Sequence, residues 1–302
     1  MELILPLLLM SFVGGIMQGG NGVYAMAMPF GAGALSKKRA LLLYALFTFL
    51  GAVVAGGVVT QSLSTGVIGD MDPALGLVSL SSIIICILIA NLIKVPLSSS
   101  EMTMGAIAGV GLFFGSLFSE SLVRFYFSWV LVAVLCFFIS YLSTRFLRSR
   151  NPKIPFQRLM LIAVGCFFAF SIGANNVGNS VFPLLGIFSM PFILVFGAVS
   201  MALGSFVFRG KVMEKVGRDI TEIDGVTGLV ASLTSAMALL ILSLLGLPAP
   251  AAHFYTLSTM GVGVAKGART MNMRTVAQIA IVWVVSPLLA IGVSYAILGI
   301  IN

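Results

Sequence analysis

Apolar runs long enough to cross a bilayer recur along the whole chain, at residues 3–20, 40–60, 74–93, 98–118, 125–146, 159–180, 191–208, 225–247, 251–268 and 275–300. A hydrocarbon core about 30 Å thick needs roughly 20 mostly apolar residues per helical crossing. Backbone polar groups inside lipid must be satisfied within the segment, so these runs predict helices. The chain has 302 residues, room for about ten crossings with short loops and no separate catalytic domain. Composition agrees, with 59% hydrophobic and 9% charged residues against roughly 25% charged in a soluble domain. The expected fold class is all-α, a polytopic transmembrane helical bundle surrounded by lipid.

The net charge of +8 does not point to nucleic acid, because the basic residues fall in the gaps between the runs and encode topology. The first run follows Glu2 without a basic region or a small-residue cleavage site, and is read as a crossing rather than a removable leader. With the N-terminus outside and sides alternating, Lys37, Lys38, Arg39, Lys94, Arg145, Arg148, Arg150, Lys153 and Arg158 fall in the cytoplasm. Arg209, Lys211, Lys215, Arg218, Lys266, Arg269 and Arg274 join them, and Arg124 alone is left outside. A multi-pass protein of the cell membrane with both termini external is expected. Whether 98–118 and 251–268 span or are re-entrant stays open. Cys86, Cys136 and Cys166 lie inside apolar runs without metal-ligand spacing, and no metal or cofactor is expected.

A shift of 152 to 154 residues aligns the two halves at their polar and glycine positions. Asn21 falls on Asn175, Leu50-Gly51 on Leu203-Gly204, Pro96 on Pro248, and Gly109-Val110-Gly111 with Gly115 on Gly261-Val262-Gly263 with Gly267. Five crossings per repeat would give the halves opposite topology, an arrangement common in secondary transporters, whose substrate sits near the midplane. Residues 1–150 and 151–302 are the expected repeats, divided at the Arg-rich linker carrying Pro152 and Pro155.

Two kinds of polar cluster interrupt the runs. Gln18-Gly19-Gly20-Asn21-Gly22 is matched by the stretch from Ser171 to Ser180, with Asn175, Asn176 and Asn179. Glycine there permits unwinding or close backbone approach, and asparagine offers donors and acceptors without charge. Helix packing glued by side-chain hydrogen bonds is the plain alternative, but two symmetric clusters favour a binding site. The second kind is Pro96-Leu97-Ser98-Ser99-Ser100-Glu101, matched by Pro248 to His253. Proline and small hydroxyl residues start helices, whose free N–H groups attract anions. Ser98, Ser99 and Ser100 are candidate ligands. Glu101 aligns with His253, the only histidine, and an ionisable group inside a membrane segment is a functional candidate for ligand contact or proton coupling. Lys94 and Lys266 flank this region and are read as snorkelling topology determinants.

These motifs resemble those of the inorganic phosphate transporter (PiT) family of anion permeases, across both halves. Its G-A-N-D-V-A-N-A type signature is similar to Gly19 to Met26 and to Gly173 to Ser180, and its P-V-S-T-T-H element to Pro96 to Glu101 and Pro248 to His253. The resemblance implies an inverted-repeat secondary transporter with phosphate near its centre and symport of sodium or protons. Gly22 and Asn176 stand where that signature has aspartate, and Glu101 where the family has histidine.

A phosphate permease driven by a cation gradient, Na+ or H+, is therefore the expected function. A proton-coupled sulfate permease is the alternative, since sulfate only accepts hydrogen bonds whereas phosphate carries a proton that needs an acceptor. A passive anion channel is a third reading. An enzyme is not expected, because no nucleophile or metal set accompanies Glu101 and His253, and no GxxxxGK loop suggests ATP-driven pumping. Self-association into a homo-oligomer is left open.

Overall fold

The computed structural model describes residues 2–65, 72–93, 98–116, 119–150, 157–219, 225–267 and 273–301. Lys94, Pro96, Pro152, Lys153, Pro155 and Arg269 lie outside the described residues. Helices run α1 Ile4–Gly22, α2 Ala27–Gly31, α3 Lys37–Ala55, α4 Gly57–Thr65, α5 Pro73–Ile93, α6 Ser99–Phe114 and α7 Ser119–Arg150. They continue as α8 Gln157–Asn176, α9 Gly178–Val181, α10 Met190–Val207, α11 Lys211–Asp219, α12 Gly225–Leu244, α13 Ala251–Lys266 and α14 Met273–Ile301. Each apolar run of the sequence is met by one of these helices.

Seven stretches are long and apolar enough to cross a membrane: Ile4–Gly31, Lys37–Ala55, Glu120–Ser149, Gln157–Leu184, Met190–Val207, Thr227–Leu244 and Trp283–Ile301. Pro73–Ile89 in α5 is a shorter apolar helix. α6 and α13 have 16 residues each, about 24 Å at 1.5 Å per residue and short of the hydrocarbon core. About ten crossings were expected, and seven helices reach spanning length among the described residues. Phe127, Val130 and Leu142 on α7 and Val284, Leu288 and Ile300 on α14 are exposed, an outer surface suited to lipid rather than water.

The helices carry most of both asparagine clusters, with a single break inside the second. α1 stays helical through Asn21 and then tightens into a 3-10 turn over Val23–Met26 before α2. α8 stays helical through Asn175 and Asn176, breaks at Val177, resumes as α9 and closes in a 3-10 turn at Phe182–Leu184. In the first half the interruption follows the cluster; in the second it falls within it, leaving Asn175 and Asn176 at the end of α8 and Asn179 on α9.

Helices pack across the halves more than within them. α1 lies on α10 and α3 on α8, while α6 lies along α14 and α13 along α7. Exchanging the two halves turns each of these contacts into its partner. The closest crossings use glycines that the sequence shift pairs. A methyl group on Gly19 would overlap the Met201 carbonyl, and one on Gly204 the Ile16 carbonyl. In the same way Gly173 meets the Thr48 carbonyl and Gly51 the Phe170 carbonyl. Small residues that let helix backbones touch replace the hydrophobic drive that lipid cannot supply.

Two contacts tie connecting segments to one face. Arg158 Nη2 donates to the Gly33 carbonyl at 2.8 Å, and Lys37 Nζ lies 2.8 Å from a Glu214 carboxylate oxygen. The turns after α2 and after α10 and the start of α8 therefore share one end of the bundle. This is the lysine- and arginine-rich end.

Candidate functional site

The start of α6 is buried at Ser98, Ser99, Ser100 and Glu101. Ser98 occupies the N-cap position with extended backbone, yet its side chain caps nothing. The first turn of a helix carries N–H groups without intrahelical partners and the positive end of the helix dipole. α13 starts in the same way at buried Ala251, with Pro250 at its N-cap and no side-chain cap. Serine and proline begin these helices well, and burial of the uncapped ends leaves a place for an anion.

Asn179 reaches this point from the other half. Its Nδ2 donates to Ser100 Oγ at 3.2 Å, while its Oδ1 and that of Asn176 are buried and have no hydrogen-bond partner among the described residues. Both amide ends of Gln18 are also buried without a partner. An unsatisfied buried polar atom costs roughly 1–3 kcal/mol. Sites that tolerate it commonly have a role for it.

Asn175 does something different. Its Nδ2 donates to Ser243 Oγ at 2.9 Å and to the Leu247 carbonyl at 3.4 Å, and its Oδ1 accepts from the Ala249 N–H at 3.1 Å. It clamps the turn from α12 to α13 and so sets where α13 begins. Trp129 of α7 adds to the clamp by donating from Nε1 to the Pro248 carbonyl at 2.6 Å. Asn21 sits at the corresponding place in α1 and is likewise engaged.

Glu101 and His253, aligned by the repeat, meet in space. His253 Nε2 lies 2.6 Å from Glu101 Oε1, with the two side chains 9% and 2% exposed. The two side chains are in close contact, although the ring N–H is not aimed along that line. Ser286 of α14 donates to Glu101 Oε2 at 2.6 Å, and Trp283 lies over the imidazole with ring centroids 3.8 Å apart. Both carboxylate oxygens are thus occupied. Among the described residues Glu101 and His253 are the buried ionisable acid and base, and no lysine or arginine is buried.

The fold therefore brings Ser98, Ser99, Ser100, Glu101, Asn179 and His253 together through direct contacts or shared helix ends. Asn175 is diverted to positioning. Thr103 closes the α6 start by donating to the Ser99 carbonyl at 3.0 Å. Sequence reasoning missed Ser286, Trp129 and Trp283. Ser286 carried no signal inside a long apolar run. The tryptophans did: they are the only two in the chain, and their spacing, 283 − 129 = 154, equals that of Asn21 and Asn175, 175 − 21 = 154.

Comparison with known proteins adds an independent line. A sequence profile described as the phosphate transporter family matches residues 19–157 and 144–294. The chain is 33% identical over 295 residues to the sulfate permease CysP of Bacillus subtilis, covering 93% of this chain and 83% of that protein. It is 24% identical over 303 residues to the protein named "Putative phosphate permease MJ0630" of Methanocaldococcus jannaschii, covering 98% and 96%. A solved structure described as the sodium-dependent phosphate transporter superposes with a TM-score of 0.90 at 23% identity, covering 100% of this chain and 99% of that one. That likeness concerns the fold.

Proposed function

The chain belongs to the phosphate transporter family and is a multi-pass membrane protein, and from that premise we propose that it is a secondary permease for inorganic phosphate, driven by a cation gradient. The observation that carries this reading is the contact of Asn179 with Ser100 at the buried, uncapped start of α6. Helix N–H groups and hydroxyls supply donors for a dehydrated oxyanion without a fixed cation that would hold it too tightly to release. The unpartnered oxygens of Asn176 and Asn179 offer the acceptor that a proton-bearing phosphate needs.

Sulfate is the second reading. It is favoured by the 33% identity to a sulfate permease and by the absence of carboxylate at Gly22 and Asn176. Sulfate has no proton to donate, so it needs no carboxylate acceptor. Proton coupling through Glu101 and His253 fits either substrate, because an acid–base pair in low dielectric changes strongly when one member gains or loses a proton. Two inverted repeats with external termini are part of the same proposal. The exchange of neighbours between halves supports them.

The test is uptake of labelled phosphate and of labelled sulfate into proteoliposomes under imposed Na+ or H+ gradients. Phosphate accumulation driven by one gradient is the expected result. Sulfate accumulation alone selects the second reading, and uptake that never exceeds equilibrium selects a channel.

A further inference from the structure

Arg124 is the one basic residue that the charge pattern leaves on the face opposite the lysine- and arginine-rich loops. The positive-inside bias gives no reason for a cation there. Arg145, near the other end of α7, lies 21 residues further on, about 31 Å along the helix and one hydrocarbon thickness away. Arg124 makes no ion pair among the described residues, although Glu120 precedes it by one turn.

That side chain lines a surface-open cavity of about 300 Å³ together with Gln61, Ser62 and Thr65 of α4, Ser121 of α7 and Leu247. Arg124, the hydroxyl residues Ser62 and Ser121 and the amide of Gln61 line a space large enough for a hydrated small anion, while the Thr65 hydroxyl is spent on the Gln61 carbonyl at 3.1 Å. A guanidinium fork matches a tetrahedral oxyanion with two parallel hydrogen bonds. The cavity floor is the turn that Asn175 holds, through the Leu247 carbonyl, and His253 follows six residues later. The cavity therefore adjoins the backbone that positions the start of α13.

We propose that this cavity is a capture vestibule, in which Arg124 and the hydroxyls of Ser62 and Ser121 hold a tetrahedral oxyanion before it moves to the Asn179–Ser100 centre. The proposal rests on the permease reading above. A single cation at a low-dielectric mouth concentrates anions and speeds their arrival, while the centre beyond it stays free of fixed cations.

The experiment is uptake kinetics of the full-length protein in proteoliposomes, measured from each face, with phosphate and with sulfate. Arg124→Gln is expected to raise KM for the transported oxyanion about 3- to 10-fold from the Arg124 face, leaving kcat within about twofold. The difference from the parent is expected to shrink in 0.5 M NaCl, where the Debye length is only a few ångströms. Arg124→Lys keeps the charge without the fork and is expected to fall between the parent and Arg124→Gln, with KM from the opposite face unchanged. An unchanged KM at low salt overturns the proposal, as does a KM shift equal from both faces. A fall in kcat or in inserted protein with KM unchanged identifies Arg124 as an anchor to lipid phosphate instead, and also overturns it. Failure of the parent to transport either anion overturns the permease reading itself, a different outcome.

Discussion

At the scale of single residues, two neighbouring asparagine positions have separate jobs. Asn175 makes three hydrogen bonds to the α12–α13 turn, and Asn179 makes one, to Ser100, with its oxygen left over. Asn175→Ala is expected to lose transport and also to lower stability by about 1–3 kcal/mol, because it orphans a buried amide N–H and carbonyl. Asn179→Ala is expected to lose transport with the melting temperature in detergent almost unchanged. Equal destabilisation by the two substitutions argues against the division. Glu101→Gln removes the carboxylate that faces His253 and is expected to alter the pH profile of uptake, while Ser99→Ala keeps the parent's profile. Superimposable profiles for Glu101→Gln and the parent remove the pair from coupling. The repeat alignment placed Glu101 and His253 at equivalent positions, but equivalence in a repeat does not bring two side chains together, and their contact is seen only in the fold. The diversion of Asn175 was not legible in the sequence either, because it depends on a turn 72 to 74 residues away whose path is set by packing.

At the scale of elements, spacing alone revealed that ten runs form helices but not how they interrupt. The glycines in the clusters at Gln18 to Gly22 and Ser171 to Ser180 permit either unwinding or close backbone approach, and the sequence alone does not choose between them. The structure uses those glycines for contact. Gly19, Gly173, Gly51 and Gly204 each face a carbonyl of the crossing helix, and helical geometry is what keeps them aligned there. Gly173→Leu is accordingly expected to separate α3 from α8, costing more than about 2 kcal/mol by overpacking. The measurements are melting temperature and the monodisperse fraction in detergent. Gly33→Ala, at a turn with open space around the Cβ position and φ of +66°, tests backbone strain without packing, and a smaller loss of about 1 kcal/mol is expected. A larger loss at Gly33 than at Gly173 contradicts the packing account.

At the scale of the whole molecule, the contacts of Arg158 with Gly33 and of Lys37 with Glu214 constrain how many times the chain crosses. Their ends share a face, so an even number of crossings separates Gly33 from Arg158. Four helical segments lie between them, α3, α5, α6 and α7, with α4 as a short continuation of α3. α6 is too short to be a comfortable span, yet it cannot turn back alone without making the count odd. Either α5 and α6 both cross, or they form a hairpin that enters and leaves on one side. Cys86, Cys136 and Cys166 are buried, so an impermeant maleimide reports introduced thiols against a low background. Ser36→Cys and Lys211→Cys are expected to label from the same side and Ser121→Cys from the other. Labelling of Ser36→Cys and Lys211→Cys from opposite sides breaks the parity.

The glycine crossings also set a timetable for synthesis. Gly19 finds its partner only when Gly204 has been made, 185 residues later, an interval of roughly 10–40 s at ordinary ribosomal speeds. Through that interval the first half resides in the membrane with its tightest contact surface open to lipid, to the translocon or to another nascent chain. Its maturation is a waiting problem, in which a helix from the second half completes the first helix made.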